Sequence, residues 1–108
     1  MDGIEADIAG DRIELRRSDA AKRPLLQRLN RIEGQVRGLR GMVEADRYCL
    51  DEVQQINAIT AALREVALVI IAEHVAAGVS LAARADTPES VAVADVMRVL
   101  RAAMRKSE

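Results

Sequence analysis

The sequence predicts an all-α protein whose protomer consists of three helices. The 108 residues are rich in alanine, leucine, arginine and glutamate, which all favour helix, and they include only two prolines. Along two long segments the apolar residues recur at alternating spacings of four and three, the pattern of a helix that packs along one seam. A third segment begins with Thr87-Pro88, a pair typical of a helix start.

The first predicted helix runs from about Ala21 to Glu44. Pro24 suits its first turn, where the missing N–H costs little. Its stripe has a 4-3-4-3-4 spacing and consists of Leu25, Leu29, Ile32, Val36, Leu39 and Val43. Residues 1–20 show no sustained periodicity, so we expect a polar, mobile tail there, or at most a short helix. The predicted domains are this tail and a three-helix domain over residues 21–108.

The second predicted helix runs from about Arg47 to Ala77, with Asp46 as its N-cap and Gly78 near its end. Its stripe continues the 4-3 alternation without a break through Cys49, Val53, Ile56, Thr60, Leu63, Ala67, Ile70, His74 and Ala77. The third predicted helix runs from about Pro88 to Arg105, with Thr87 as its cap.

The composition describes one small domain with a thin core. Half of the residues are apolar, but many are alanine and Tyr48 is the single aromatic residue, so helix pairing between subunits is a natural remedy. A single cysteine excludes an internal disulfide and suits a reducing cytosol. No uncharged apolar stretch approaches ~20 residues, and the N-terminus lacks a basic region followed by an apolar one. We therefore expect a cytoplasmic protein with no membrane span and no signal peptide.

Positive charge is concentrated in the first helical region. Residues 12–47 carry ten basic and five acidic groups, although the net charge of the chain is −1. This asymmetry favours a polyanionic partner, and the alternative is a solvated face with extra arginine.

Cys49 and His74 are the only cysteine and the only histidine of the chain. At ~100° per residue, 25 steps place them on one face of the second helix to within roughly 20°. The helical rise separates them by roughly 37 Å, so no single ion touches both in one chain. A shared site would need two subunits with antiparallel helices, and two-fold symmetry would then form it twice.

The chemistry of this pair suits a thiophilic metal ion. Cys49 falls in the first turn of the predicted helix, where unpaired N–H groups and the helix dipole stabilise a thiolate. A thiolate with an imidazole suits Cu(I) or Zn(II). The alternatives are a small buried hydrophobe for Cys49 and a hydrogen-bonded interface histidine for His74. Core packing is the favoured role of the methionines that could add a thioether, which are Met42, Met97 and Met104.

The sequence does not predict an enzyme. It has no glycine-rich phosphate loop and no Ser-His-Asp arrangement. A Cys–His dyad of the hydrolase type would need a substrate cleft, for which a three-helix chain of this size offers little room.

Three segments carry a resemblance to a known family. Leu25–Gly38, with the sequence LLQRLNRIEGQVRG, resembles the opening helix of the copper-sensing repressor family. Asp46–Ile56, Ala62–Ala67 and the pair Glu73-His74 resemble its ligand-bearing second helix. The match covers roughly residues 21–80 without gaps. The family also includes members that sense nickel or cobalt, formaldehyde and persulfide.

The resemblance implies an all-helical disc in which antiparallel dimers, each with a four-helix-bundle core, pair into a homotetramer. It also implies a ligand-responsive transcriptional repressor. Such a protein binds double-stranded operator DNA in its ligand-free form and is released when a metal or a reactive ligand binds between two subunits. The alternatives are a repressor that senses formaldehyde or another electrophile, and a metal- or thiol-handling helical oligomer that does not bind DNA.

Carried over by position, Cys49 matches the first cysteine ligand and His74 the histidine ligand. The third ligand of the copper sensors is a cysteine four residues after the histidine, and here that position is Gly78. Three-coordinate Cu(I) would therefore need another group or an exogenous thiol. Formaldehyde-sensing relatives also lack the second cysteine, but the proline that follows their initiator methionine is Asp2 here.

Tyr48 matches a tyrosine that links the ligand histidine to an acidic residue on the third helix of the copper sensors. Asp95 is our first candidate for that acidic residue, and Glu89 is the second. The alternative for Tyr48 is an ordinary packed ring with its hydroxyl in water.

Arg28 and Arg64 match the DNA-contacting arginines of the family. Further basic residues would extend the positive surface, namely Lys22, Arg23, Arg31, Arg37 and Arg40. A solvated or intrahelical ion pair is the alternative for each arginine, above all for Arg31 and Arg37.

Overall fold

A computed structural model describes residues 3–105 of the chain. Its elements, in chain order, are β1 Ile4–Ala9, β2 Arg12–Arg17, α1 Asp19–Glu44, α2 Cys49–Ala82 and α3 Glu89–Met104. The three predicted helices are confirmed, with shifted ends, and α2 continues through Gly78. The chain divides into two compact units. Among the described residues, the hairpin unit comprises 3–22 and 68–105, and the α1–α2 unit is Arg23–Ala67.

The prediction of a mobile tail or a short helix is wrong for residues 4–17, which form an antiparallel β-hairpin. The register pairs Ala9 with Arg12, so Gly10 and Asp11 make a two-residue turn. Gly10 has a φ of +63°. Glycine at the first position of a two-residue turn is the pattern of a type II′ hairpin, whose twist matches that of the strands. The described residues are mostly helical, as predicted, and this two-stranded sheet is an addition to the three helices.

Apolar burial anchors the hairpin in its unit. Ile13 of β2 is buried together with Ala77 and Leu81 of α2 and Ala92 of α3. Partly buried residues surround them, namely Ala6, Ile8, Leu15, Ala82 and Val96. The hairpin contributes to this core because its strands alternate between an inward apolar face and an outward polar face.

An ion pair adds to this anchor at the end of β2. The Nε and Nη2 groups of Arg17 donate to Oε1 of Glu73 on α2, at 3.1 and 2.9 Å. Both side chains are largely shielded from solvent, at 24% and 12% exposure. The hairpin is thus tied to the residue of α2 that directly precedes His74.

The loop after α1 corrects the predicted role of Asp46 as an N-cap. The Asp46 N–H donates to the Val43 carbonyl at 3.2 Å, and the Arg47 N–H donates to the Met42 carbonyl at 2.9 Å. These two bonds form a Schellman motif, with Asp46 in the left-handed region at φ +53°. Aspartate is enriched both at N-caps and in left-handed positions, so the residue type alone did not separate the two roles.

The starts of α1 and α3 also differ from the predictions. α1 begins two residues earlier than expected, at Asp19, because Ser18 Oγ accepts the Ala21 N–H at 3.1 Å. Pro24 therefore lies inside α1 and not in its first turn. At α3 the N-cap is Pro88 and not Thr87, and it makes no side-chain capping bond.

In the α1–α2 unit the two helices bury a face that does not coincide with the predicted stripe of α2. The buried apolar residues are Leu25, Ile32, Ile59 and Val66. The Gln55 amide also donates from Nε2 to the Gln35 carbonyl at 2.9 Å. The large stripe residues of α2 in this unit are about half exposed, namely Val53, Ile56 and Leu63. The stripe is therefore not covered within its own unit.

By length and composition, α2 is long and apolar enough to cross a membrane, and much of its apolar surface is exposed in one protomer. The same helix carries Glu73 and His74, and both are bound to polar partners. Ionisable groups in a bilayer are costly. We therefore interpret the exposed apolar surface of α2 as a protein contact, and the absence of a membrane span stays a prediction.

The left-handed backbone at Asp46 predicts the effect of two substitutions. Asp46→Gly should be more stable than Asp46→Ala by about 1 kcal/mol, since alanine pays the steric cost of the left-handed region and glycine does not. Urea unfolding at a fixed protein concentration measures the difference. Equal free energies of unfolding for the two variants would contradict it.

Candidate functional site

His74 is held by a buried carboxylate within the hairpin unit. Its Nε2 atom lies 3.0 Å from Oδ2 of Asp95 on α3, and the two side chains are 12% and 6% exposed. The Ile13 N–H of β2 donates to the same oxygen at 2.9 Å. Arg98 Nη1 donates to the other oxygen, Oδ1, at 2.8 Å. Three donors thus converge on Asp95, as a buried carboxylate requires.

This network indicates which nitrogen of His74 is available to a ligand. Asp95 accepts from a backbone N–H and from a guanidinium, so its oxygens act as acceptors. We therefore assign the ring proton to Nε2, which donates to Oδ2 and leaves the lone pair on Nδ1. Metal-binding histidines commonly have this arrangement, in which a carboxylate fixes the tautomer and the ring orientation.

The structure places only one of the two acidic candidates beside the histidine. Asp95, the first candidate, contacts His74 directly, whereas Glu89 is exposed at the first residue of α3. Tyr48 directly precedes α2 in the α1–α2 unit and is 70% exposed. The link between histidine and carboxylate is direct here, so the role of Tyr48 stays a prediction.

Cys49 is the first residue of α2 and carries an exposed free thiol. Within one protomer it is therefore not buried, and its role as a ligand stays a prediction. Within residues 3–105 of one protomer, no group of three or more His, Cys, Asp or Glu side chains is arranged to hold a metal ion.

The position of the expected third ligand is closed by helix packing. Gly78 lies one turn after His74, and a Cβ atom on it would collide with Cγ2 of Val96 on α3. The same Cβ would lie 3.4 Å from Cδ1 of Ile13. Position 78 thus lacks a ligand side chain at the point where α3 approaches α2 so closely that the backbone leaves room only for glycine.

The predicted DNA-contacting residues share an exposed and unpaired state. None of them forms an ion pair with the residues that the structure describes, and the set comprises Lys22, Arg23, Arg28, Arg31, Arg37 and Arg64. Arg40 differs, because it pairs with Glu44 at 3.3 Å. The intrahelical ion pair considered for Arg31 and Arg37 is therefore not observed within residues 3–105.

Two arginines of α1 share a shallow depression with residues of α2 in the α1–α2 unit. Arg28 and Arg31 of α1 line a shallow depression together with Ala62 and Glu65 of α2. Arg64 lies between these two α2 residues in sequence, but it is not among the residues that line the depression. The depression therefore combines two basic side chains of α1 with one acidic side chain of α2, Glu65.

Two members of the His74 network were missed in the sequence. Ile13 contributes a backbone N–H, which leaves no side-chain signal, although the alternating residues around Gly10-Asp11 are typical of a hairpin. Arg98 follows Asp95 by three residues, a spacing at which side chains on a helix meet. This pair could therefore have been predicted from the sequence.

Comparison with known proteins gives related sequences. A family model described as metal-sensitive transcriptional repressor matches residues 21–102. The copper-sensing transcriptional repressor RicR of Mycobacterium tuberculosis is 56% identical over 48 residues, which are 44% of this chain and 50% of RicR. The copper-sensing transcriptional repressor CsoR of Bacillus subtilis is 50% identical over 58 residues, 54% of this chain and 57% of CsoR. The chain spans about half the length of the curated relatives it matches.

Two solved structures share the fold. The copper-sensing repressor CsoR with Cu(I) from Geobacillus thermodenitrificans NG80-2 superposes with a TM-score of 0.75 and 36% identity, covering 85% of this chain and 95% of that one. The nickel-responsive transcriptional regulator InrS gives a TM-score of 0.70 and 32% identity, covering 76% and 91%.

The helical fold and these likenesses place the protein among the helical transcriptional regulators, a class of repressors and not of enzymes. Since the family model covers most of its length, the chain belongs to the metal-sensitive transcriptional repressor family. The resemblance seen in the sequence is thereby confirmed.

The close packing at Gly78 predicts a double-mutant effect. Gly78→Ala should destabilise the protein by about 1–3 kcal/mol, because the added methyl overlaps Val96. In a Val96→Ala background the same change should cost clearly less, since the overlapping atoms are gone. Urea unfolding of the four proteins measures the coupling.

Gly41→Ala is the matched control for this experiment. Gly41 lies in α1 with nothing within 4 Å of its added Cβ, so alanine should raise stability by about 0.5–1 kcal/mol through helix propensity. If the Gly78 substitution is as harmless as the Gly41 one, α3 does not pack against α2 as described.

Proposed function

We propose that this protein is a cytoplasmic, ligand-responsive transcriptional repressor. In the proposed cycle it binds double-stranded operator DNA without ligand and leaves it when a ligand binds at Cys49 and His74 of two subunits. Membership of the repressor family supports the DNA-binding role. The observation that carries the sensing role is the carboxylate-held His74, whose Nδ1 is left as the ligating nitrogen.

The site requires a second copy of the chain. α2 carries Cys49 at its first residue and His74 in the same unbroken helix, 25 positions later. Stripe residues beside both are exposed, among them Val53 and Ile70. An antiparallel second copy would cover this surface and bring the cysteine of one chain beside the histidine of the other. A homodimer is the minimum assembly, and the family resemblance favours a homotetramer.

The favoured ligand is Cu(I) or a related thiophilic ion. A thiolate and an imidazole are donors that suit Cu(I). The Cys49 side chain is exposed within one protomer, and the contact with Asp95 leaves Nδ1 of His74 as the free ring nitrogen. When bound, the ion would link two subunits. Gly78 supplies no third donor, so an exogenous thiol or water would complete the coordination.

The closed position at Gly78 also favours a second candidate, a repressor that senses an electrophile such as formaldehyde. An exposed thiol that lacks a competing third ligand is accessible to a reactive carbonyl. Comparing Cu(I) with formaldehyde as the agent of DNA release separates the two candidates.

The first prediction concerns DNA binding. Arg28→Ala combined with Arg64→Ala should weaken operator binding by about tenfold or more at moderate salt, because two phosphate contacts are lost in every subunit. The slope of log K against log salt should also become shallower. Arg40→Ala is the matched control, since Arg40 is exposed but paired with Glu44.

A gel shift on the DNA upstream of the gene, repeated over a salt series, measures this effect. Absence of binding by the wild-type apo protein at low salt would overturn the repressor proposal. It would favour the alternative of a metal- or thiol-handling oligomer that does not bind DNA. Unchanged Cu(I) uptake by the double variant would show that the arginines serve DNA binding alone.

The second prediction concerns release. Cys49→Ala should bind operator DNA as the wild type does but should stay bound when Cu(I) or formaldehyde is added, because the thiol is the ligating or reacting group. Fluorescence anisotropy of labelled operator DNA follows the release. Normal release by Cys49→Ala would remove this cysteine from the mechanism.

A further inference from the structure

We propose that the N-terminal hairpin is a positioning element for His74, and that hairpin docking and ligand binding at His74 are coupled through Asp95. The family model begins at residue 21, so the hairpin lies outside the part of the chain that defines the family. The identity of the ligand rests on the proposed function, whereas the positioning of the histidine ring does not.

The first step is the direction of the Ile13 N–H. In an antiparallel hairpin the residue pairs alternate between hydrogen-bonded and non-hydrogen-bonded. Ala9 and Arg12 flank the two-residue turn, so the next pair, Ile8 with Ile13, is the non-bonded one. The N–H of Ile13 therefore points away from β1, and the strand does not need it. It is available to donate to Asp95 at 2.9 Å.

The second step is that Ile13 and His74 share one acceptor. Both donate to Oδ2 of Asp95, while Arg98 occupies Oδ1. A carboxylate bound on both oxygens cannot rotate without breaking a bond, so the Ile13 N–H helps to fix the plane of the group that orients the imidazole. Arg98 also reaches Asp11 in the hairpin turn, but at 3.4 Å and in solvent, where such contacts contribute little.

The third step is that the hairpin flanks the histidine along α2. Arg17 binds Glu73, the residue before His74. The Ile13 side chain packs in the cluster with Ala77, one residue before Gly78. Hairpin contacts therefore occur on both sides of His74 in sequence and also on its carboxylate. If the hairpin undocked, the Arg17–Glu73 ion pair, the packing of Ile13 against Ala77 and the hydrogen bond from Ile13 to Asp95 would be lost together.

Coupling follows from linkage. Ligation at Nδ1 requires the proton on Nε2, which is the form that Asp95 holds when the hairpin is docked. If docking of the hairpin raises the affinity for the ligand by a given factor, ligand binding raises the equilibrium constant for docking by the same factor. Groups that orient a metal-binding histidine typically change metal affinity by about 10–100-fold, which sets the expected size.

The test compares Ile13→Pro, which lacks the N–H, with Ile13→Val, which keeps the N–H and nearly all of the apolar side chain. His74 is the only histidine, so ¹⁵N-histidine labelling of the full chain gives one pair of ring nitrogen signals. These signals report the tautomer without metal or DNA. A second readout is Cu(I) affinity by competition with a chromophoric chelator.

We expect Ile13→Val to keep the wild-type ring signals with a protonated Nε2. Ile13→Pro should shift them towards a mixture of both tautomers and bind Cu(I) about tenfold more weakly. Arg16→Ala is a hairpin control, since Arg16 pairs with Asp7 at the surface and does not contact Asp95. It should behave as the wild type does.

Because proline also restricts the backbone of the strand, a semisynthetic chain with a backbone ester at position 13 provides the second variant. It replaces the N–H by oxygen and keeps the isoleucine side chain. Wild-type ring signals in the ester chain would overturn the inference. If the wild type takes up no Cu(I), the proposed ligand is wrong, and the ring signals still decide whether the hairpin positions His74.

Discussion

The buried carboxylate of Asp95 is the constraint on which the hairpin unit depends. An ionised group away from water is costly unless donors surround it. Its donors come from three elements: a backbone N–H of β2, the imidazole on α2 and a guanidinium on α3 itself. None of these elements can shift without leaving the carboxylate short of a partner. The arrangement of strand, histidine and helix is therefore specified by one side chain, and the apolar cluster beside it supplies the stabilisation.

The helices were predictable from the sequence because their apolar spacing is sustained over many turns. Their ends were not, because residues such as Asp46 suit more than one local role and the loop geometry decides between them. The hairpin was missed for another reason. Each strand has only six residues, so the alternation of apolar and polar residues, although typical of a hairpin, extends over few positions. The Gly10-Asp11 pair was the only turn signal. The many charged residues on both sides of it made the whole segment look like a polar tail.

The parts of the candidate site that could be predicted are residues of a ligating type that occur only once in the chain. A sole cysteine and a sole histidine on one helical face are visible in any reading of the chain, and Asp95 followed from the family resemblance. The Ile13 donor was not predictable, because a backbone N–H has no residue type. The reason for the glycine at position 78 was also hidden. It depends on Val96, eighteen residues away, and only the packing of α3 on α2 brings the two together.

This packing has a consequence for how such a site changes over generations. A codon change that placed cysteine at position 78 would meet Val96 before it could serve as a ligand. The path to a three-donor site therefore passes first through a smaller residue on α3. That step alone brings no new donor and leaves a gap beside Ile13. The order of mutations is thus constrained by packing. Val96 contributes no donor atom, yet it limits which ligand set the site can acquire.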